Sequence, residues 1–306
     1  MNRFEYLEAH TLPEAIALLG QDEGTRLVAG ATDFLVRWRQ GSWKPRAVLS
    51  IQRIPGLDRI DYSPTTGLGL GALATIRTLE THSLIQQHYP ALSQAATTFA
   101  GVQIRNLATV GGNLCNASPA GDTIPALIAY GAECRVIGPQ GERLLPLESF
   151  VLSPGRTALQ PAEILIELHL PPPLPHTGAL YIKHSPRSAM DISTVGVASV
   201  VTLDGGDGIC REVRIALGAV APTVVRARTA ETLLRGQRPE AGLIQQAARA
   251  AMEEASPIDD LRGTARHRRA IVEALVGRTL RSAIQMAQGV RLPFRTQRAL
   301  AVEAML

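Results

Sequence analysis

The first half of the chain alternates short apolar blocks with polar turns, a pattern that predicts alternating helices and strands. Residues 11–14, TLPE, form a capping box with proline in the first turn, and the helix that they start is expected to end at Gly20. The apolar run 26–29 predicts a strand, which is followed by a tight loop at 30–33 and a helix from Phe34 towards Trp38. Further elements expected in this half are strands at 47–51 and 68–72 and helices at 78–87, 90–99 and 123–130.

From residue 133 onward the pattern changes to strands followed by helices. The alternation at 163–170 predicts a strand, and the three prolines at 171–173 predict a linker. The elements expected here are strands at 134–137, 179–183, 195–203 and 213–217, a hairpin turn at 204–208 and helices at 227–234, 243–254 and 268–280. Because strands and helices in separate blocks are typical of an α+β fold, we predict a domain boundary near residue 175.

The 306 residues, 45% of them hydrophobic, are enough to build a full core in about two domains. No apolar run reaches the roughly 18 residues of a membrane-spanning helix, and residues 1–5 lack the layout of a secretory signal. We therefore expect a cytoplasmic protein without a membrane span. The net charge of +4 comes from basic residues scattered among acids, and aromatics are only 4%, which argues against nucleic-acid binding.

The histidines and cysteines give no sign of a metal centre. The three cysteines are too far apart in sequence for a disulfide framework or a zinc site, and an iron–sulfur cluster normally needs four thiolates. The seven histidines show no spacing that suggests a metal site or a catalytic triad. We assign no catalytic residue and no metal ligand.

The first candidate loop, VAGATD at residues 28–33, lies between a predicted strand and a predicted helix. Backbone N–H groups and the helix dipole favour an anion at such a position. Turns of this composition also join strands to helices with nothing bound, so both interpretations stay open here. The triphosphate-binding ending Gly-Lys-Ser/Thr and the Rossmann spacing GxGxxG are both absent.

The second candidate loop, residues 103–122, combines paired glycines with short polar side chains. Gly111 and Gly112 are expected to let the backbone approach a ligand closely, with φ values that other residues resist. Asp122 either caps the helix at 123–130 or contacts a ligand. Two uncharged loops rich in N–H donors, converging on a dinucleotide, would satisfy the oxygens of its pyrophosphate without burying lysines.

The segments AGATDF and TVGGNLCNASPAGDTIPAL resemble the FAD-binding signature of the flavin subunits of molybdenum hydroxylases. This family includes carbon monoxide, xanthine and nicotine dehydrogenases and aromatic-acyl-CoA reductases, and the resemblance covers nearly the whole chain. It implies FAD as cofactor and an α+β fold. A two-subdomain FAD-binding domain of the vanillyl-alcohol-oxidase/PCMH type at 1–175, divided at about 55, would be followed by a smaller α+β domain at 176–285. That second domain has an antiparallel sheet and helices, and an arm at 286–306 follows it.

The resemblance also implies the residues that bind FAD. The pyrophosphate would be held by Ala29, Gly30, Ala31, Thr32, Asp33, Thr109, Gly111, Gly112 and Asn113, with Asn116 and Ser118 nearby. Phe99 would lie beside the adenine end, Asp122 would bind ribose or phosphate hydroxyls, and Leu165 and Lys183 would flank the flavin. Without the resemblance, Phe99 would be assigned to the core and Lys183 to the surface.

This sequence departs from the family at two points. Ala31 replaces the second of two adjacent glycines, which restricts its φ. The cysteine-rich insertion of the aromatic-acyl-CoA reductases is absent, which argues against that subgroup.

The function implied is that of an electron-transfer subunit. A large partner subunit would oxidise the substrate at a molybdopterin cofactor, and a small partner with two 2Fe–2S clusters would pass electrons to the FAD of this chain. An external acceptor, such as a quinone, O₂ or NAD, would then receive them, in a dimer of heterotrimers. The alternatives are a stand-alone FAD-dependent oxidase and a non-catalytic scaffold that has lost FAD.

Overall fold

The computed structural model describes residues 3–187, 190–206 and 208–292 of the chain. The predicted arm at 286–306 lies outside the described residues from position 293 onward. Among the described residues, no helix is long and apolar enough to cross a membrane.

A three-stranded parallel sheet with two helices forms the N-terminal layer. Its elements are β1 (Glu5–Glu8), α1 (Leu12–Gln21), β2 (Thr25–Val28), α2 (Thr32–Arg39) and β3 (Ala47–Ser50), with strand order β1-β3-β2. The predicted Thr11 cap forms, because Thr11 Oγ1 accepts the N–H of Glu14. The Glu14 carboxylate accepts the N–H of His10 rather than that of Thr11, so the reciprocal bond of a capping box is displaced by one residue. Helix α1 does not end at Gly20 but includes it.

The middle of the chain forms an antiparallel sheet, a small hairpin and six short helices. The strands are β4 (Ile60–Ser63), β5 (Gly67–Gly71), β6 (Glu133–Gly138), β7 (Gly141–Pro146), β8 (Val151–Ser153), β9 (Arg156–Thr157) and β10 (Ile164–Leu170). The sheet has the order β4-β5-β10-β6-β7, and β8 pairs with β9. The helices, all between β5 and β6, are α3 (Ile76–Thr81), α4 (Ser83–His88), α5 (Pro90–Thr98), α6 (Val102–Arg105), α7 (Val110–Cys115) and α8 (Thr123–Ala129).

The C-terminal part is a four-stranded antiparallel sheet followed by three helices, as the pattern predicts. The elements are β11 (Thr177–His184), β12 (Val195–Leu203), β13 (Cys210–Gly218), β14 (Val225–Arg226), α9 (Arg228–Leu234), α10 (Ala241–Glu254) and α11 (Ala265–Ala287). The strands lie in the order β11-β12-β13-β14. The predicted α+β class, with an antiparallel sheet and helices in this part, is confirmed.

Strand β12 is buried along its whole length because both faces of its sheet are covered. Ala198 and Val200 belong to the core of the middle part of the chain. Val197 and Val201, on the opposite face, pack in the core that the three C-terminal helices share. The sheet therefore joins the C-terminal helices to the middle part, where the candidate site lies.

Two sequence predictions about local structure are wrong. The helix predicted at 78–87 is two helices, α3 and α4, because His82 between them has an extended backbone with φ −71° and ψ 122°. The loop predicted at 103–122 contains the short helices α6 and α7, of which α7 begins at a Thr109 side-chain cap. Strands β1 and β4 were not predicted, since EYLE and IDYS are short and polar.

Candidate functional site

A cleft of about 290 Å³ lies between the N-terminal layer and the middle part of the chain. One wall comes from β2 and the start of α2, and the other from α7 and the beginning of β10. The volume is near the lower end of the roughly 300–1,000 Å³ that ligand pockets span, so a long ligand would extend beyond this cleft.

The first loop joins β2 to α2 along the floor of the cleft. Ala31 is the N-cap of α2 and has the left-handed conformation, with φ 57°, although a Cβ there costs about 1–2 kcal/mol. The Ala29 carbonyl accepts a hydrogen bond from Gln52 Nε2 at 2.7 Å, which fixes the loop from behind. Because no side chain caps α2, its first-turn N–H groups are available to a ligand in the cleft.

The two candidate loops touch each other at Gly30. A Cβ placed on Gly30 would lie 1.9 Å from the carbonyl oxygen of Leu107 and 2.7 Å from its carbonyl carbon. Only glycine allows this approach, which is one of backbone to backbone. The contact closes one end of the cleft and brings the first loop against the approach to the second.

The second loop reaches the cleft as helix α7. Thr109 Oγ1 accepts the N–H of Gly112 at 3.0 Å, which caps the helix. Gly111 packs against the residue that follows β5, since a Cβ there would lie 2.7 Å from the carbonyl oxygen of Ala72. Neither Gly111 nor Gly112 has a positive φ, so the expected unusual φ values are wrong, and the pair is needed for packing and for space.

The two asparagines of the second loop that line the cleft have side-chain partners inside the protein. Asn113 Oδ1 accepts a hydrogen bond from the Thr123 hydroxyl at 2.8 Å, which ties α7 to α8. Asn116 Oδ1 accepts one from Arg37 at 2.6 Å, and Arg37 lies on α2. Each asparagine keeps its amide NH₂ as a donor for other groups.

Phe99 lines the cleft from the turn after α5, and Arg105 holds that turn. The Arg105 guanidinium donates to the carbonyl oxygens of Phe99 at 2.9 Å and Ala100 at 3.1 Å. It also forms an ion pair with Glu80 at 2.8 Å. The Arg105 side chain thereby fixes the backbone that presents the Phe99 ring, a role that the sequence did not reveal.

Asp122 and Lys183 form a buried ion pair behind the cleft, with Lys183 Nζ 2.9 Å from Asp122 Oδ2. The other carboxylate oxygen of Asp122 accepts hydrogen bonds from Ser193 and Tyr181. Asp122 makes no side-chain cap to α8, so the capping alternative is wrong, and Lys183 is buried rather than on the surface. Burial raises the pKa of Asp122, and Lys183 offsets part of that shift.

The cleft carries little charge. Among the described residues that line it, only Arg26, Asp33 and Glu163 are charged. Glu163 is neutralised by Arg143, whose hydrogen bonds at 2.7 Å lower the pKa of Glu163. Burial raises the pKa of Asp33, and the nearby Arg37 offsets part of that shift.

The cleft brings together twelve of the fifteen residues proposed from the sequence. Ser118, Asp122 and Lys183 are not among those that line it. The sequence analysis did not assign the other lining residues to the site, among them Arg26, Trp43, Ile51, Cys115, Thr157, Leu159 and Glu163. Cys115 lies inside the second motif and could have been included, whereas the other six of these residues belong to no motif.

These features fit a dinucleotide diphosphate. Small residues line the floor, no side chain caps the first N–H groups of α2, and Gly112 lines the cleft without a side chain. Apolar side chains, among them Ile51, Phe99 and Leu165, offer a surface to a flat ring. Among the described residues, no group of three His, Cys, Asp or Glu side chains could hold a metal ion.

Two family models together match most of the chain. Residues 2–173 match the FAD binding domain in molybdopterin dehydrogenase, and residues 180–283 match the CO dehydrogenase flavoprotein C-terminal domain. The xanthine dehydrogenase FAD-binding subunit of Escherichia coli O157:H7 is 32% identical over 285 residues, which cover 93% of this chain and 97% of that protein. The carbon monoxide dehydrogenase medium chain of Hydrogenophaga pseudoflava is 33% identical over 282 residues, which cover 92% and 97%.

A solved structure of carbon monoxide dehydrogenase from Hydrogenophaga pseudoflava, lacking the Mo-pyranopterin moiety of its cofactor, has the same fold as this chain. The TM-score is 0.88 at 34% sequence identity, over 92% of this chain and 97% of that one. The family predicted from the two loops is thus confirmed. This chain belongs to the FAD-binding subunits of the molybdopterin-dependent dehydrogenases, and is an oxidoreductase subunit with FAD as its cofactor.

Proposed function

We propose that this chain is the electron-transfer subunit of a heterotrimeric molybdenum hydroxylase that works in the cytoplasm. A large subunit with a molybdopterin cofactor and a small subunit with two 2Fe–2S clusters complete the heterotrimer, and two heterotrimers pair. The FAD held by this chain would take single electrons from the small subunit and would supply them to an external acceptor, a quinone, O₂ or NAD. Support comes from the relatives, which are themselves named as a FAD-binding subunit and a medium chain.

The observation that carries the proposal is the convergence of the two loops on one cleft. In the proposal, Ala29 to Asp33 hold the diphosphate from one side. Thr109 and Gly111 to Asn113 hold it from the other, with Asn116 and Ser118 nearby and Asp122 towards a ribose or phosphate hydroxyl. The bound FAD supplies conversion between one-electron and two-electron transfer. The part of this chain is to orient the dinucleotide and exclude water, and no side chain acts as nucleophile or general base.

Leu165 and Lys183 flank the flavin in this proposal. Lys183 Nζ donates to the carbonyl oxygen of Thr98, the residue before Phe99. Lys183 therefore contacts the backbone next to Phe99, although its own side chain does not line the cleft. The proposed division of the chain remains 1–175, in two subdomains, then 176–285.

The composition of the purified complex tests the proposal. An affinity-tagged chain, expressed in its native host, is expected to bring down a large and a small partner with about one molybdenum and about four iron atoms per FAD. The measurements are metal analysis, flavin absorbance and the mass of each partner. A chain that purifies alone and oxidises an organic substrate would instead be a stand-alone oxidase. A chain that stays colourless after FAD is added would be the scaffold.

Gly112→Val is expected to give a folded chain that has lost at least tenfold in FAD affinity, or about 1.4 kcal/mol. The valine would take up room in the cleft that Gly112 lines, and its Cβ would lie 2.9 Å from the Thr109 hydroxyl, so this capping side chain has to shift. Flavin content after titration with FAD measures the loss, and a thermal melt checks the fold.

Cys115 supplies a second measurement of the same loss. It is the exposed cysteine of the three, and it lines the cleft. FAD is expected to slow the reaction of Cys115 with 4,4′-dithiodipyridine in the wild type but not in Gly112→Val. Gly242→Val, in the open first turn of α10, is the matched control and should keep its flavin. Full flavin occupancy in Gly112→Val would contradict the assignment of this loop.

A further inference from the structure

Arg37 connects the two walls of the cleft. It lies on α2, in the N-terminal layer, and its guanidinium donates to Asn116 Oδ1 at 2.6 Å. Asn116 follows α7 and lines the cleft from the opposite wall. A hydrogen bond from a charged guanidinium to an amide oxygen is one of the stronger kinds in proteins. The contact therefore holds together two walls that residues far apart in sequence provide.

Trp43 holds the Arg37 guanidinium in place. The centre of the guanidinium lies 4.7 Å from the Trp43 ring centroid, within the range of cation–π attraction. The N–H of Trp43 also donates to the carbonyl oxygen of Arg37 at 3.3 Å. The ring itself lines the cleft and packs against Phe34, with centroids 6.0 Å apart. Arg37 thus contacts one lining residue on each wall.

We propose that Arg37 is a positioning residue for FAD, which acts through Trp43 and Asn116 to keep the cleft closed around the dinucleotide. We call these three side chains the Arg37 clasp. The inference rests on the proposed binding of FAD in this cleft. The clasp has to open before FAD leaves, so it slows the release of FAD. It also presents Asn116 in one orientation, because the Oδ1 atom bonded to Arg37 turns the amide NH₂ away from the guanidinium.

The test compares Arg37→Leu with Arg39→Leu. Both remove one positive charge from α2, but Arg39 is exposed. In the purified complex, Arg37→Leu is expected to release FAD about tenfold faster than Arg39→Leu and the wild type, as measured by the rise in free-flavin fluorescence after dilution. Arg37→Lys keeps the charge but not the planar fork, and should release FAD at an intermediate rate.

A double-mutant cycle separates the clasp from general structural damage. Asn116→Ala alone should speed FAD release, and adding Arg37→Leu should have little further effect, since the pair is already broken. In the flavin-free chain, Arg37→Leu should also raise the rate at which Cys115, next to Asn116, reacts with 4,4′-dithiodipyridine. Neither change is expected from a residue that only stabilises α2.

The outcomes distinguish the clasp from the proposed function. A wild-type complex without FAD would overturn the proposed function and the clasp with it. A wild type that binds FAD, with equal release rates in Arg37→Leu and Arg39→Leu, would overturn the clasp alone. If Arg37→Leu fails to fold, Arg37→Lys serves as the test instead. Release of FAD at the wild-type rate in Arg37→Lys would overturn the clasp.

Discussion

Gly30→Ala is expected to lower the free energy of unfolding by about 3 kcal/mol and to leave the chain without FAD. The added methyl group would lie 1.9 Å from the carbonyl oxygen of Leu107, so one of the two loops has to move. Both groups in conflict are backbone, which cannot turn away as a flexible side chain can. Movement of either loop also separates the N–H groups that face the cleft from each other.

Gly20→Ala is the matched control. Gly20 lies in the last turns of α1, and a Cβ there would meet only Ala162 Cβ, at an ordinary contact distance of 3.9 Å. Alanine in a helix is favoured over glycine by roughly 0.5–1 kcal/mol, so this variant should be slightly more stable than the wild type. Urea unfolding and flavin absorbance measure both variants. Equal stability and flavin content in Gly30→Ala and Gly20→Ala would disprove the close contact between the loops.

The contact between Gly30 and Leu107 could not be predicted from the sequence. The strand-loop-helix order at 25–39 was evident from local composition, and the structure has it. The reason for glycine at position 30 is a carbonyl oxygen 77 residues further along the chain at Leu107, and no local pattern contains that partner. The motif identified the correct loop, but the reason that position 30 has to be glycine is visible only in the tertiary structure.

The second loop was wrongly predicted to contain no helix, because the low helix propensity of its residues was considered without their surroundings. Two adjacent glycines are each disfavoured in a helix by about 1 kcal/mol, so VGGNLC was predicted to be a loop. The Thr109 cap and the close packing of Gly111 on Ala72 outweigh that preference. As a result, the N–H groups of Val110, Gly111 and Gly112 are bonded inside the protein, and the uncapped donors of the cleft are those of α2.

The C-terminal sheet was easier to predict, for a physical reason. Its second strand, β12, reads as a nearly continuous apolar run, because the middle part of the chain covers one face and the C-terminal helices the other. The burial of Lys183 on β11 was not predicted from the residues themselves. Without the resemblance, a lone lysine was assigned to the surface, whereas the structure buries it. Its partner Asp122 is 61 residues away in sequence, so the pair left no pattern to detect.

Lys183→Met is expected to destabilise the protein by about 3–5 kcal/mol, because it removes one partner of a buried ion pair. The side chains of Lys183 and Asp122 are only 5% and 9% exposed. Lys183 Nζ also donates to the carbonyl oxygens of Thr98 and Asp191, and methionine would leave both without this donor. Lys44, the other lysine of the chain, is exposed, and Lys44→Met should change stability by less than about 0.5 kcal/mol.

The pH dependence of Lys183→Met identifies the cause of the loss. Burial already raises the pKa of Asp122, and removing Lys183 removes the charge that lowers it, so the folded variant retains a proton that the unfolded chain releases. Between the unfolded and the folded pKa of Asp122, the stability of the variant therefore falls as the pH rises, and it recovers at acidic pH. Asp122→Asn in the same chain removes the carboxylate, and should restore part of the stability and abolish this pH dependence. A loss that stays constant with pH, and that Asp122→Asn does not reduce, would show that Lys183 matters only for packing.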